Sequence, residues 1–128
     1  MFERTDIQPM LPVKDMEAAE KFYGAILGLK KLGEMPGTAM TYQSGSGKLV
    51  VYRSEFAGTN KGTAALWEVK DVEKTVKELE TKGVAFERYD MPGLTRKGNV
   101  YVAGDMMVAW FKDPSGNILS VQNAAKPG

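Results

Sequence analysis

The segment Val13-Lys14-Asp15-Met16-Glu17 returns as Val69-Lys70-Asp71-Val72-Glu73, 56 residues further on. Met35-Pro36-Gly37 returns at the same offset as Met91-Pro92-Gly93. Two matches in one register imply that the chain is built from two copies of one supersecondary unit. With 128 residues in all, each copy is too short to bury a core of its own, so the copies are expected to fold as one domain.

Each copy opens on an apolar run, residues 7–13 and 63–69, followed by an Asp suited to cap a helix because its carboxylate accepts the orphan N–H groups of the first turn. Past Asp15, residues Ala18, Ala19, Phe22, Ile26 and Leu27 recur at helical spacing; past Asp71, Val72, Val76 and Leu79 do the same. Gly28 and Gly83 are the expected stops. Short strand-like segments follow at 29–34, 39–43 and 48–53 in the first copy, with a Ser44-Gly45-Ser46-Gly47 turn. In the second copy they fall at 85–89, 99–103, 106–112 and 117–122, with turns at Gly104-Asp105 and Asp113-Pro114-Ser115-Gly116.

The predicted class is therefore α+β, two tandem βαβββ modules forming a curved mixed sheet, as half-barrels, around a cleft. Module one spans about 5–57, a Gly- and polar-rich linker about 58–62, and module two about 63–123, within one domain over 1–128. The tail 123–128 is expected to fray. A sheet of three or four strands with one helix leaves a face uncovered, so the modules are expected to pair and to bind ligand on the concave side.

Composition excludes much chemistry. The chain has no His and no Cys, which removes His-dependent triads, CxxC redox motifs and structural zinc sites, and leaves only oxygen ligands for any metal. Seventeen basic against 16 acidic residues give a net charge of +1 without a basic run, so nucleic acid is not an expected partner. No stretch approaches the roughly 20 apolar residues that span a bilayer, and the first six residues carry Glu3, Arg4 and Asp6. A cytoplasmic protein without a membrane partner is expected.

The chain resembles the vicinal oxygen chelate superfamily of glyoxalases, bleomycin-resistance proteins and extradiol dioxygenases. The resemblance rests on the two V-K-D-[MV]-E junctions, on Phe22-Tyr23 followed by Leu27-Gly28-Leu29, and on Trp110-Phe111-Lys112-Asp113-Pro114-Ser115-Gly116-Asn117. It covers residues 7–122. It implies four metal-ligand positions on the first and fourth strands of each module. Counting from the capping Asp and the turn Gly places them at Gln8, Ala64, Val51 and Ser120. One amide, two aliphatic side chains and a hydroxyl do not hold a divalent ion, so no metal and no cofactor are expected. The superfamily's metal-dependent activities are not expected either.

Strand alternation extends the implied ligand face to Met10, Leu66, Glu68, Leu49, Arg53 and Gln122. The cleft so composed is apolar with a few polar groups: Gln8, Arg53, Glu68, Ser120 and Gln122. Trp67, on the opposite parity, reads as core. Trp110 is open between stacking on a flat ligand and burial in the core or a dimer contact. Tyr42, Tyr52 and Tyr101 are explained by strand propensity, and Met10, Met40, Met106 and Met107 by gap-filling or by a soft pocket. Asp113 to Asn117 reads as a structural turn, and Ser44 to Lys48 lacks the spacing of a phosphate loop.

The leading expectation is a metal-free protein binding an apolar or aromatic small molecule, sequestering a drug or natural product as bleomycin-resistance members do. Bleomycin itself is not implied, because a cationic ligand calls for an acidic cleft. A metal-independent lyase or isomerase with Glu68 as general base, oriented by Gln8 or Tyr101, is the alternative. A dimerisation module with a vestigial cleft is the third. A homodimer is expected in each case.

Overall fold

A computed structural model describes residues 1–124 and resolves them into two compact units. The first comprises Met1–Lys61 together with Asp113–Asn117, and the second Gly62–Lys112 with the chain from Ile118. No helix among the described residues is long and apolar enough to cross a membrane.

In the first unit, β1 (Met10–Val13) lies parallel to β4 (Gly47–Arg53), which continues antiparallel through β3 (Ala39–Ser44) to β2 (Lys30–Met35), giving the order β1-β4-β3-β2. The apolar run at 7–13 yields a strand only from Met10. Between β1 and β2, α1 (Met16–Glu20) is capped by Asp15, whose Oδ1 accepts from Glu17 N at 3.0 Å and Ala18 N at 3.1 Å. The helix then widens to a π-helical turn over Lys21–Ile26, closed by Leu27 N donating to Phe22 O at 2.9 Å. The expected α-helical period fails here. A wider turn lets the consecutive residues Phe22 and Tyr23 both face inward, their rings edge to face at 5.1 Å.

In the second unit the order is β5 (Thr63–Glu68), β10 (Ile118–Gln122), β9 (Met106–Lys112), β8 (Val100–Ala103), β7 (Thr95–Lys97), with β5 parallel to β10. Helix α2 (Val72–Thr81) is capped by Asp71 Oδ1, which accepts from Lys74 N at 3.0 Å. It buries the expected Val72, Val76 and Leu79. Each such side chain removed from water contributes about 1.5–3 kcal/mol. Two details differ from the sequence expectation. The segment at 85–89 forms only the short β6 (Phe86–Glu87), which pairs with the far end of β9, and the polar β7 at the sheet edge was not foreseen. Three exposed residues, Thr95, Arg96 and Lys97, carry no alternating apolar signal.

The four-stranded and six-stranded mixed sheets with few helices are the α+β architecture expected, and neither closes into a barrel. Residues 125–128 of the tail expected to fray lie outside the described residues. Asn123 is tied down: its Oδ1 accepts from Met107 N at 2.9 Å and its Nδ2 donates to Asp105 O at 2.7 Å.

Candidate functional site

Each sheet has one face packed by its helix, and the opposite, more open face mixes exposed with buried residues. In the first unit, Leu11, Val13, Leu49, Val51, Met40 and Tyr42 are buried. The alternate residues form the open face: Met10 beside Val50 and Thr41, then Pro12 beside Tyr52, Ala39 and Met35. Met10 is 55% exposed. Gln8 is exposed but lies before β1 rather than on it.

Three residues expected on the ligand face of this sheet lie on the other parity: Leu49, which is buried and pairs with Tyr42, and then Val51 and Arg53. Val51 is 0% exposed and pairs with Leu11 and Met40, so it belongs to the core face. Arg53, with the same parity, pairs with Val13 and is exposed at the end of β4. The reason is turn length. Ser44 pairs with Gly47 around a two-residue turn, whereas Lys112 pairs with Ile118 around residues 113–117. The turns differ by an odd number of residues, so a count carried from one to the other lands on the wrong face.

On the helix side of this sheet runs a groove of about 690 Å³ floored by Gly24, Ala25, Met40 and Tyr42. Three of its rim charges satisfy one another. Lys31 Nζ bridges Glu34 at 3.0 Å and Glu20 at 3.3 Å, and those contacts, that to Glu34 first, hold its ammonium above its usual range.

In the second unit the expected residues do share a face. Leu66 pairs with Ser120, Glu68 with Gln122, and Ser120 in turn with Trp110. Leu66 is 52% exposed and Gln122 half-buried, while Ser120 is buried between Leu66 and Trp110. Ala64 is half-buried where the register of β5 on β10 shifts. Trp67 lies on the other face beside Val121, as its parity required. Glu68 is exposed, not half-buried, so the low-polarity setting its role as general base needs is missing.

Trp110 is the centre of a cluster that parity alone did not assemble. Its ring is met edge-on by Tyr101 at 5.2 Å and by Tyr89 at 5.5 Å, and its Nε1 donates to Thr63 Oγ1 at 3.2 Å. Tyr101 Oη accepts from the backbone N–H of Tyr89 and donates to the backbone carbonyl of Tyr89 at 2.9 Å. Tyr101 therefore does more than propensity suggested. It pins the chain after β6 beside Trp110. Next to the cluster, Lys112 Nζ pairs with Glu87 Oε1 at 3.0 Å, which raises the affinity of the ammonium for its proton. Burial, with the Glu87 charge as a further cause, pushes the Tyr89 phenol up. Tyr89 was not singled out by the sequence: the strand expected over 85–89 ends at Glu87, and it is the pairing of Glu87 with Trp110 that brings the following Tyr89 to that ring.

A family model for the Glyoxalase/Bleomycin resistance protein/Dioxygenase superfamily matches residues 7–121. The chain belongs to that superfamily. Among solved structures this superfamily member is similar to the glyoxalase family protein from Enterococcus faecalis, with 20% identity, a TM-score of 0.73, and coverage of 96% of this chain and 100% of that one. It is similar to a lactoylglutathione lyase from Agrobacterium tumefaciens, with 18% identity, a TM-score of 0.70, and coverage of 94% of each chain. An antibiotic-binding protein from a Streptomyces species is also similar, with 22% identity, a TM-score of 0.68, and coverage of 98% and 99%. At these identities the likeness shows the fold alone. No curated protein matches the sequence significantly.

The residues do not fit the metal that many superfamily members carry. Gln8 offers one neutral amide, Val51 faces the core, Ala64 has no donor, and Ser120 is a buried hydroxyl. Among the described residues no three acidic side chains gather to replace them. A hard cation stripped of water needs several oxygen donors at about 2 Å, and these positions do not supply them.

Proposed function

We propose that this superfamily member is a metal-free small-molecule binding protein that takes a flat, apolar or aromatic compound against Trp110 on the open face of the second sheet. The observation that carries this reading is the Tyr89-Trp110-Tyr101 cluster, beside the exposed Leu66 and with Gln122 as a polar neighbour. Aromatic side chains held rigidly at a sheet surface offer large contact area at small entropic cost, and polar groups at the edge set orientation. A similarly folded Streptomyces protein is an antibiotic-binding protein. Sequestration of a drug or natural product is the corresponding role here. The protein is further proposed to act as a homodimer, since β1 and β5 each leave a strand edge unpaired within their sheets.

The test is a fluorescence titration of a Trp67→Phe variant, in which Trp110 is the remaining tryptophan. Planar aromatic compounds should quench it saturably in the micromolar range. Absence of saturable quenching for every compound of a diverse planar panel at several hundred micromolar would overturn the proposal. Elemental analysis is the second check, and stoichiometric zinc, nickel, manganese or iron would contradict the metal-free reading. Gel filtration reports the dimer.

A further inference from the structure

Tyr89 Oη is the single buried side-chain nitrogen or oxygen among the described residues that has no hydrogen-bond partner. Buried hydroxyls are ordinarily satisfied, so such an atom calls for an explanation. The groups whose charges or hydroxyl act on this phenol are already committed: Lys112 and Glu87 bond each other at 3.0 Å, and Tyr101 Oη bonds the main-chain N–H and carbonyl of Tyr89. What remains is one phenol, on a ring set edge-on to Trp110 with centroids 5.5 Å apart.

Resting on the binding function proposed above, we propose that Tyr89 Oη determines the specificity of this site by donating a hydrogen bond to an oxygen acceptor, such as a ring carbonyl, carried by the flat ligand on Trp110. Burial favours the neutral phenol, which keeps its proton at neutral pH and so acts as a donor. The unpaired hydroxyl is disfavoured as it stands, so an oxygen that a bound ligand presents to it gains a hydrogen bond. A flat hydrocarbon of the same shape offers no such gain. Discrimination then arises from one unmet hydrogen bond and not from the area of contact.

The experiment compares two matched probes, 9-fluorenone-2-carboxylate and fluorene-2-carboxylate, which share a tricyclic skeleton and a carboxylate and differ in the ring carbonyl. Wild-type protein should bind the ketone about three- to tenfold more tightly, the range of one neutral hydrogen bond. Tyr89→Phe should abolish the preference by weakening the ketone alone. The same substitution should raise the Tm of the free protein by about 3 °C, because it removes an unsatisfied buried group and keeps the ring. If both probes bind and Tyr89→Phe leaves both affinities unchanged, the hydroxyl serves no ligand and the inference falls, even if Tm rises. If neither probe nor any other planar compound binds the wild type, the binding function itself falls and takes this inference with it.

Discussion

Asp113 keeps a carboxylate at 4% exposure by accepting four hydrogen bonds, from Tyr23 Oη at 2.7 Å, Asn117 Nδ2 at 2.8 Å, and the backbone N–H groups of Ser115 and Asn117 at 2.9 Å each. Asn117 Nδ2 also donates to Pro12 O at 2.6 Å, so the turn after β9 is fastened to β1 of the first unit. A buried charge stripped of one such donor loses about 1.5–3 kcal/mol. Tyr23→Phe should therefore lower the unfolding free energy by that amount, read as a drop in the urea midpoint at constant m-value. Beside this turn, a Cβ on Gly58 would lie 2.2 Å from Ser115 O, on a backbone with φ of +76°. Both partners are main chain and cannot yield cheaply. Gly58→Ala is expected to cost about 3 kcal/mol or more, measurable by the same titration. The sequence marked 113–117 as a structural turn from its residue types. That the turn holds a buried Tyr23 some 90 positions away was not legible, because hydrogen bonds of that range leave no local pattern.

At the scale of elements, the Met-Pro-Gly repeat resolves into the same turn twice. Thr38 N donates to Met35 O at 2.9 Å and Leu94 N to Met91 O at 3.1 Å, with φ of +73° at Gly37 and +86° at Gly93. Pro at the second position and a positive φ at the third are what a type II turn requires. A Cβ at either glycine meets nothing within 4 Å, so Gly37→Ala should cost only the conformational penalty, about 1–2 kcal/mol. The two capping aspartates are similarly readable, and Asp71→Ala is expected to remove about 1 kcal/mol. The π-helical turn over Lys21–Ile26 was not readable, since five apolar positions fit a 3.6 period well enough to conceal an extra residue. Its phase is decided by Tyr23, which must reach Asp113.

Over the whole molecule, burial, ahead of any neighbouring charge, raises the phenols of Tyr23, Tyr42 and Tyr89 above their ordinary value. Above about pH 10 the unfolded chain releases those protons while the folded chain retains them, so the folded state binds more protons and stability falls as pH rises. Below that pH the contribution is fully present. The unfolding free energy from urea titration should be level from pH 7 to 9 and drop above about pH 10, by up to about 1.4 kcal/mol per pH unit for Tyr23 alone. Tyr23→Phe should flatten that limb, and an unchanged slope would contradict the assignment. Local signals sufficed for the duplication, the caps, the turns, the buried stripe of α2 and the shared parity of Leu66, Glu68, Ser120 and Gln122, because each is carried by residues a few positions apart. Pairing partners decided the rest. The register of β4 against β1 and β3 sent Val51 to the core, the strand pairing of β6 and β9 brought Tyr89 to Trp110, and Glu68 fell at an exposed strand end. Strand register is fixed by loop length and by what the facing side chains can bury, and both are properties of the folded chain that no single segment contains.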